Sequence, residues 1–298
     1  MIDPPRTVVE LRPAAQLDVC GLDRERTRAA VDSWHRVFRE RLAASGLTVV
    51  GALPIQINMR AAPPPHRGLG SGTQLALSLA AGLSHWFLPD QPLSEEDALR
   101  FGRGRRSAVG THGFFHGGLI VDGGQGPERA LGRLAQCVTL PTAWRVLLVI
   151  PAQSEGPSGA REESLFRELP PTPPGLAKRL LGQLHQELIP AAERGDFERF
   201  SRAVFEYGYT AGLQFASVQA GPYNGPLVQR IVDTVRAAGC PGVGQSSWGP
   251  AVFCLLPDPQ AAEQLRSQLA EQLCDLEPTL QVTQASRTGH QVSERLGD

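Results

Sequence analysis

The stretch His66-Arg67-Gly68-Leu69-Gly70-Ser71-Gly72-Thr73-Gln74 decides the fold, and it leads directly into the apolar run LALSLAAGL at 75–83. Its three glycines carry no Cβ atom, so a ligand can approach the backbone closely. The spacing of the apolar residues predicts a helix, which we expect Ser71 and Thr73 to cap. Because the first amides of a helix have no partner within it, the stretch predicts an anion-binding turn.

A second glycine-rich segment of the same chemical type, GVGQSSWGP, occupies residues 242–250 and runs into the apolar strand-like segment 251–256. Serine hydroxyls and close backbone amides are typical of anion-binding turns. We therefore expect the two glycine turns to face each other and to form one dry cleft shaped for a polyanion.

The bulk composition describes a globular protein without a strong charge preference. The chain has 298 residues, of which 41% are hydrophobic and 20% charged, and its formal net charge is −1 with a single lysine, Lys178. This balance gives no general attraction to nucleic acid or membranes. No apolar run is long enough to span a bilayer, and the first residues do not resemble a signal peptide, so we expect a cytoplasmic protein. The five scattered cysteines lack metal-ligand spacing and predict buried free thiols.

The order of the predicted elements favours an α+β fold. Helices are predicted at 23–44, 71–87, 94–101, 176–194, 196–216, 226–238 and 259–273, and strands at 7–11, 47–59, 118–122, 144–150, 251–256 and 279–284. A continuous apolar strand near Trp144 starts a second unit, so we divide the chain into residues 1–140 and 141–298. The turn Asp3-Pro4-Pro5 suggests a hairpin whose first strand is missing, which predicts an exposed sheet edge or groove there.

A segment rich in arginine and glycine follows the predicted helix 94–101. Arg103, Arg105 and Arg106 offer permanently charged, planar groups for phosphate or carboxylate oxygens, although a solvated basic turn is the simpler alternative. His112 and His116 flank Phe114-Phe115 and could donate hydrogen bonds or move a proton, but structural histidines are as common.

Four blocks of this sequence, in this order, resemble the β-ribofuranosylaminobenzene 5′-phosphate synthase family within the GHMP kinase superfamily. The blocks are GLGSGTQLAL at 68–77, GRGRRSAVG at 102–110, GGLIVDGG at 117–124 and GVGQSSWGP at 242–250. Four blocks in a shared order are far more specific than one glycine pattern. The resemblance implies a two-domain GHMP kinase-like fold, with the glycine-rich phosphate loop in the N-terminal domain and an α+β sandwich as the C-terminal domain.

The same resemblance implies an activity and its requirements. Enzymes of this family join phosphoribosyl pyrophosphate to 4-aminobenzoate or 4-hydroxybenzoate and release CO₂ and pyrophosphate, a step in tetrahydromethanopterin biosynthesis. It implies Mg²⁺ as a cofactor, small-molecule substrates, no nucleic-acid or membrane partner, and a homodimer. Donors preorganised around the pyrophosphate leaving group are expected to carry most of the acceleration.

Residues matching the family blocks, together with their polar neighbours, form the predicted site. Asp122 ends an apolar strand among glycines and is the candidate Mg²⁺ ligand, although it could equally cap a turn. The catalytic candidates are Asp122, Arg103, Arg106 and His112; the phosphate-binding candidates are Gly68, Gly70, Ser71, Gly72, Thr73, Gln74, Gly244, Gln245, Ser246 and Ser247; the substrate-binding candidates are His66, Arg105, His116, Gln219 and Trp248.

Two other functions remain open at this level. An ATP-dependent GHMP small-molecule kinase would fit the glycine turn, but the segment 107–112 lacks the carboxylate that many such kinases place there. A phosphate-ligand-binding relative without turnover is the other alternative. The family normally begins with an additional strand and a short Arg-Leu-His-like substrate motif, and this sequence shows no equivalent of it, so part of the acceptor site is expected to be missing.

Overall fold

The computed structural model describes residues 1–46, 53–104, 107–126, 130–152, 156 and 159–294. Two predicted site residues, Arg105 and Arg106, and the start of the predicted strand 47–59 lie outside these ranges.

Strands of the described chain form three sheets. Five strands pair in the order β1-β10-β7-β9-β8, three pair in the order β2-β4-β3, and β5 pairs with β6. All pairs are antiparallel except β3 with β4. The strands are β1 (Ile2–Asp3), β2 (Val8–Pro13), β3 (Asp18–Gly21), β4 (Ile55–Ala61), β5 (Leu119–Asp122), β6 (Leu134–Val138), β7 (Arg145–Ile150), β8 (Val243–Gln245), β9 (Val252–Leu256) and β10 (Thr279–Ala285).

Helices pack against all three sheets and against one another. They are α1 (Arg24–Ala44), α2 (Ser71–Phe87), α3 (Asp97–Arg100), α4 (Val109–His116), α5 (Gly159–Glu168), α6 (Pro174–Gln183), α7 (Ile189–Arg194), α8 (Phe197–Gly212), α9 (Ala216–Gln219), α10 (Gly225–Ala237) and α11 (Pro259–Gln272). A π-helical turn, Leu184–Leu188, makes α6 and α7 continuous. The predicted α+β fold class is confirmed.

One hydrophobic core lies between α1, α2 and the three-stranded sheet. Apolar residues at helical spacing on α1 bury Trp34 and Phe38 completely, and alternate residues of β4 point into the same core. The indole nitrogen of Trp34 donates to Ser84 Oγ at 3.1 Å, which satisfies both buried polar groups. This core fixes α2, and therefore the glycine turn at its start.

The second core forms around the five-stranded sheet. The central strand β7 is an almost continuous apolar run, as a strand covered on both faces requires, and α10 and α11 contribute buried leucine, isoleucine and valine residues. The β5–β6 hairpin packs towards the five-stranded sheet through Val138, which belongs to the same hydrophobic cluster as Trp144. The division of the chain near residue 140 stays a prediction.

The N-terminal segment differs from the expected open hairpin. A short strand, β1, does precede the turn at Asp3-Pro4-Pro5, and it pairs with β10 of the other sheet. Beyond the turn, β2 lies at an edge of the three-stranded sheet, with Val8 40% exposed. Among the described residues β2 pairs with β4 alone, which leaves its other edge open. A missing strand beside it stays a prediction.

Several local predictions need correction. Cys137 and Cys274 are exposed, so the prediction of buried thiols is wrong for them, although Cys240 and Cys254 are buried. The predicted helix 94–101 is a single helical turn, α3. None of the helices in the described ranges combines the length and the apolar composition that crossing a lipid bilayer requires.

Candidate functional site: an anion-binding turn and an aromatic cavity

The two glycine turns are in direct backbone contact. Ser246 Oγ donates to the Gly68 carbonyl at 2.8 Å, and the Ala251 amide donates to the Arg67 carbonyl at 3.3 Å. A Cβ atom on Gly68 would lie 2.9 Å from Gly249 Cα, and one on Gly249 would overlap the Gly68 backbone. The two distant segments therefore meet, as the sequence predicts, but they pack backbone against backbone. A polyanion-binding cleft formed by both turns stays a prediction.

The N-terminus of α2, at the end of the first turn, has no side-chain cap. Gly70 occupies the N-cap position in the left-handed conformation, with φ of 66°, and no side chain caps the helix. The expectation that Ser71 and Thr73 cap it is therefore wrong, because glycine at the N-cap leaves the first amides uncovered. The amides of Thr73 and Gln74 return to the Gly70 carbonyl, whereas within the described chain those of Ser71 and Gly72 donate to no backbone carbonyl.

Two guanidinium groups lie over this helix start. A Cβ atom on Gly72 would be 3.5 Å from Arg103 Nη1 and 3.7 Å from Arg26 Nη2. Arg26 is also anchored by its Nη1, which lies 2.7 Å from Asp23 Oδ2. Gly72 thus faces two cations, and a methyl group at this position would be in van der Waals contact with both guanidinium groups.

Arg103 lacks a protein counter-ion within the described ranges. Its side chain forms no hydrogen bond or ion pair there, and its Nε is buried without a partner. Burial first, and then the neighbouring Arg26 charge, lower the pKa of Arg103 from its usual value. A half-buried guanidinium beside a second cation and the positive end of a helix is unfavourable until an anion joins them.

The second turn uses its polar side chains to hold itself and the first turn. Gln245 accepts from the Asn224 amide at 2.7 Å and donates to the Ser247 carbonyl at 2.6 Å. The Ser246 amide donates to the Ala251 carbonyl, and Ser247 has a positive φ of 55°. These hydrogen bonds hold residues 244–251 rigid against the first turn, and we call this segment the brace. Phosphate binding by Gly244, Gln245, Ser246 and Ser247 stays a prediction.

A cavity of about 220 Å³ lies beside the second turn and is walled by aromatic rings. Trp248 is one of its buried rings and packs on Phe166 at 4.7 Å and on Phe215 at 5.0 Å between ring centroids. The cavity is lined by Phe166, Gly208, Ala211, Gly212, Phe215, Gln219, Pro222, Tyr223, Gly244, Gln245, Ser247, Trp248 and Phe253.

Three buried polar atoms on the lining residues have no hydrogen-bond partner among the described residues: Gln219 Oε1, Tyr223 OH and Trp248 Nε1. Burial raises the pKa of Tyr223 to about 12, so its hydroxyl keeps its proton near neutral pH. Unpaired polar atoms around an apolar space are typical of a site whose ligand supplies the partners. The structure thus places Gln219 and Trp248 beside one cavity. Their substrate role stays a prediction.

Asp122 caps a helix start. Its Oδ2 accepts from the Ala108 amide at 2.7 Å, immediately before α4, and its Oδ1 accepts from the Gly124 amide at 2.9 Å. Both oxygens therefore have protein donors, and this donor set fits a capping aspartate better than a resident Mg²⁺ ligand. No chemical step is assigned to a metal ion at Asp122.

The remaining predicted residues lie in supporting positions. His66 has a positive φ of 57°, and its carbonyl accepts from the Gly156 amide. Gln74 Nε2 donates to the Gly110 carbonyl at 3.2 Å and ties α2 to α4. His112 and His116, both on α4, contact the side chain of Glu95, which precedes α3. They do not lie among the arginines at the glycine turn.

Sequence reasoning missed three residues of these sites. Arg26 is one of several arginines on an amphipathic helix, and nothing local marks it as facing Gly72. Tyr223 carries no motif beyond its place next to Gly221-Pro222. Glu95 could have been found from the His112 and His116 spacing of four residues, which puts two imidazoles on one helix face and favours a search for a third ligand.

Comparison with known families identifies the class of fold. The family described as GHMP kinases N terminal domain matches residues 32–118, and that described as GHMP kinases C terminal matches residues 188–274. The chain belongs to the GHMP kinase superfamily. The first match contains the glycine turn and the second contains the brace that holds it.

Curated relatives narrow the placement within that superfamily. The chain is 33% identical over 202 residues to the beta-ribofuranosylphenol 5′-phosphate synthase of Methanothermobacter thermautotrophicus, covering 64% of this chain and 60% of that protein. It is 29% identical over 204 residues to the synthase of the same name from Archaeoglobus fulgidus, covering 64% and 61%. The alignments span about 60% of the length of these relatives. The resemblance to this synthase family is confirmed.

Solved structures agree on the fold. Homoserine kinase from Cytophaga hutchinsonii superposes with a TM-score of 0.66 at 15% identity, covering 97% of this chain and 89% of that chain. Mevalonate kinase from L. major gives a TM-score of 0.63 at 14% identity, covering 96% and 87%. At these identities the likeness describes the arrangement of helices and strands alone.

Proposed function

We propose that this chain is a β-ribofuranosylaminobenzene 5′-phosphate synthase-like transferase, which joins phosphoribosyl pyrophosphate to a 4-substituted benzoate. The observation that carries the proposal is the pair of guanidinium groups, Arg26 and Arg103, over Gly72 at an uncapped helix start. Their arrangement supports binding of a multiply charged anion by two cations and the first free amides of α2. The curated relatives support the choice of this reaction among those of the superfamily.

The acceptor fits the aromatic cavity beside Trp248. Apolar cavities of about 150 Å³ are large enough to bind benzene, so a volume of about 220 Å³ suits one substituted ring. Tyr223 OH and Trp248 Nε1 can donate to the acceptor's oxygens, and Gln219 Oε1 can accept from its para substituent. The second glycine turn lies between the two half-sites, because Ser247 lines the cavity while Ser246 holds Gly68.

The reaction then needs charge stabilisation and orientation more than a strong base. The bond between ribose C1 and the pyrophosphate oxygen breaks, and pyrophosphate leaves with the electron pair, which the arginines and helix amides stabilise. The acceptor's ring carbon forms the new bond to C1, and the bond to its carboxylate breaks, returning its electrons to the ring as CO₂ departs. Held in the cavity, the ring is oriented towards C1. Mg²⁺ is proposed to enter with the substrate pyrophosphate.

The test is turnover of the purified chain. Incubation with phosphoribosyl pyrophosphate, Mg²⁺ and 4-aminobenzoate or 4-hydroxybenzoate is expected to release pyrophosphate and CO₂ in equal amounts, and only when both substrates are present. Consumption of ATP without turnover of the ribosyl donor would instead establish a kinase. Saturable binding of the donor without turnover would establish a non-catalytic relative.

A further inference from the structure

Three potential metal ligands converge away from the glycine turn. One ligand atom each from Glu95, His112 and His116 lies within 4.8 Å of the others. The two histidines are four residues apart on α4 and therefore share one helix face. Glu95 is held just before α3 by a reciprocal cap in which Ser94 and Asp97 bond to each other's backbone and side chain. The cluster is therefore built on fixed elements.

His112 presents its Nδ1 to Glu95 and its Nε2 to a backbone carbonyl. Its Nε2 lies 2.8 Å from the Gly132 carbonyl, which can only accept, so Nε2 carries a proton. In the neutral ring, Nδ1 is then a lone pair, and it faces Glu95 Oε2 at 2.8 Å. A lone pair facing a carboxylate at this distance is repulsive unless a proton or a metal ion lies with them.

The direction of Nδ1 distinguishes these two possibilities. His112 is 2% exposed, and its Nδ1 has no hydrogen-bond partner of acceptable geometry among the described residues, despite the short separation from Glu95. A shared proton lies close to the line between its two heavy atoms. A metal ion bound to both lies off that line. A ligating histidine also commonly donates its other nitrogen to a backbone carbonyl, as His112 does to Gly132.

We propose that Glu95, His112 Nδ1 and His116 Nε2 bind a divalent first-row transition metal ion, with Zn²⁺ the best match. Two imidazoles and one carboxylate, with a fourth position for water, form a common zinc donor set, whereas Mg²⁺ prefers oxygen ligands alone. His116 is 40% exposed, which leaves one side open to solvent. Zinc bonds of about 2.0–2.2 Å separate tetrahedral ligand atoms by roughly 3.4 Å. Both contacts of Glu95 are shorter than this, the one with His116 more so than the 2.8 Å one with His112, so the half-buried Glu95 side chain moves away from both rings when the ion binds.

The place of this site in the fold indicates what the ion does. Glu95 lies on the connection that follows α2, while both histidines belong to α4, whose Gly110 carbonyl accepts from Gln74 Nε2 in the first turn of α2. A bound ion therefore fixes α4 against the helix that carries the anion-binding turn. This role is independent of the proposed reaction.

Metal titration of the purified, chelator-treated full-length chain tests the proposal. Zn²⁺ is added while binding is followed calorimetrically, and Co²⁺ is added to a second sample for its visible absorption. The variants are His116→Ala, whose side chain is largely exposed, and Glu95→Gln, which keeps the shape of the side chain. His85→Ala is the matched control, because His85 pairs with Glu294 at 3.2 Å on the surface and belongs to no group of three potential ligands among the described residues.

We expect one Zn²⁺ per chain, a rise in unfolding temperature on binding, and intense Co²⁺ absorption typical of four ligands. Affinity is expected to fall at least 10-fold in His116→Ala and Glu95→Gln and to stay unchanged in His85→Ala. Absence of stoichiometric Zn²⁺ binding to the unaltered chain would overturn the proposal. Equal affinity in the control and in both cluster variants would overturn it as well.

Discussion

Gly68 and Gly249 are in van der Waals contact through their backbones, although 181 positions separate them in the sequence. A Cβ atom on Gly68 would lie 2.9 Å from Gly249 Cα, so neither residue can carry a side chain without separating the two turns. The contact links the N-terminal anion-binding turn to the segment that lines the aromatic cavity.

Gly249→Ala is expected to destabilise the protein and to weaken donor binding together. Its methyl group would overlap the Gly68 backbone, which cannot rotate away as a side chain could, and overpacking of this kind costs about 1–3 kcal/mol or more. Thermal unfolding and donor titration measure the two effects. Gly182→Ala on α6, where a Cβ atom meets nothing within 4 Å, is the control; an unfolding temperature for Gly249→Ala equal to that control would contradict the contact.

Gly72→Ala separates ligand binding from stability. Nothing strains a methyl group here, since its closest neighbour would be Arg103 Nη1 at an ordinary 3.5 Å, and alanine favours a helix more than glycine does. The methyl group nevertheless occupies the space between the two guanidinium groups and the helix start. We expect unchanged or slightly higher stability and donor affinity reduced by about 10-fold, equivalent to the loss of about 1.4 kcal/mol. Unchanged donor affinity would place the anion elsewhere.

Arg103→Met is expected to leave the fold intact and to impair donor binding. The guanidinium has no described protein partner, so its removal relieves an unfavourable burial and deprives no protein group of its counter-ion. Hydrogen bonds to charged groups contribute about 1.5–3 kcal/mol, which corresponds to a rise of about 10- to 100-fold in the KM for the donor. Arg202→Met, which removes an exposed arginine on α8, is the control. A marked loss of stability in Arg103→Met alone would show a structural role instead.

The glycine turn could be predicted from the sequence because its signals are local. Glycine spacing and apolar periodicity specify the turn and α2, whereas the partners that complete the site come from residues distant in the sequence. Arg26 faces Gly72 only because α1 packs on α2, a tertiary relationship that no local pattern encodes. The helix α4 was missed for the opposite reason: its two glycines and its aromatic residues favour a loop locally, and packing overrides that preference.

Tyr223→Phe tests the aromatic cavity without disturbing the ring packing. The hydroxyl is buried without a described partner, so its removal is expected to be neutral or slightly stabilising for the protein alone. Because burial raises the pKa of Tyr223 to about 12, the hydroxyl remains a donor throughout the assay range. If it donates to the benzoate, the KM for the acceptor rises by about 10-fold while that for the ribosyl donor stays unchanged. Tyr209→Phe, which alters an exposed hydroxyl nearby, is expected to change neither value.

The final prediction concerns acid stability and the cap that holds Glu95. Asp97 is 4% exposed and accepts two hydrogen bonds from Arg41, at 2.8 and 3.2 Å, besides those from Ser94. Burial alone would raise the pKa of Asp97, but the hydrogen bonds from Arg41 and Ser94 outweigh it, and the net pKa is lowered. Replacement by asparagine keeps the shape, removes the charge and leaves Arg41 unpaired, which we expect to cost about 2 kcal/mol.

The loss of unfolding free energy caused by Asp97→Asn should become smaller as the pH falls. A carboxylate whose pKa is lower in the folded state contributes its full stability above the unfolded value of about 3.9 and loses it as the pH falls through the folded value. The difference in unfolding free energy between the unaltered chain and Asp97→Asn is therefore constant from pH 7 to about 5 and shrinks below about 4. Denaturant titrations at several pH values measure it. Glu198→Gln, which breaks the exposed pair with Arg202, should cost less than about 1 kcal/mol at every pH. A difference for Asp97→Asn that grows as the pH falls would mean that the folded protein binds the protonated acid more strongly than the carboxylate, contrary to the contacts with Arg41 and Ser94.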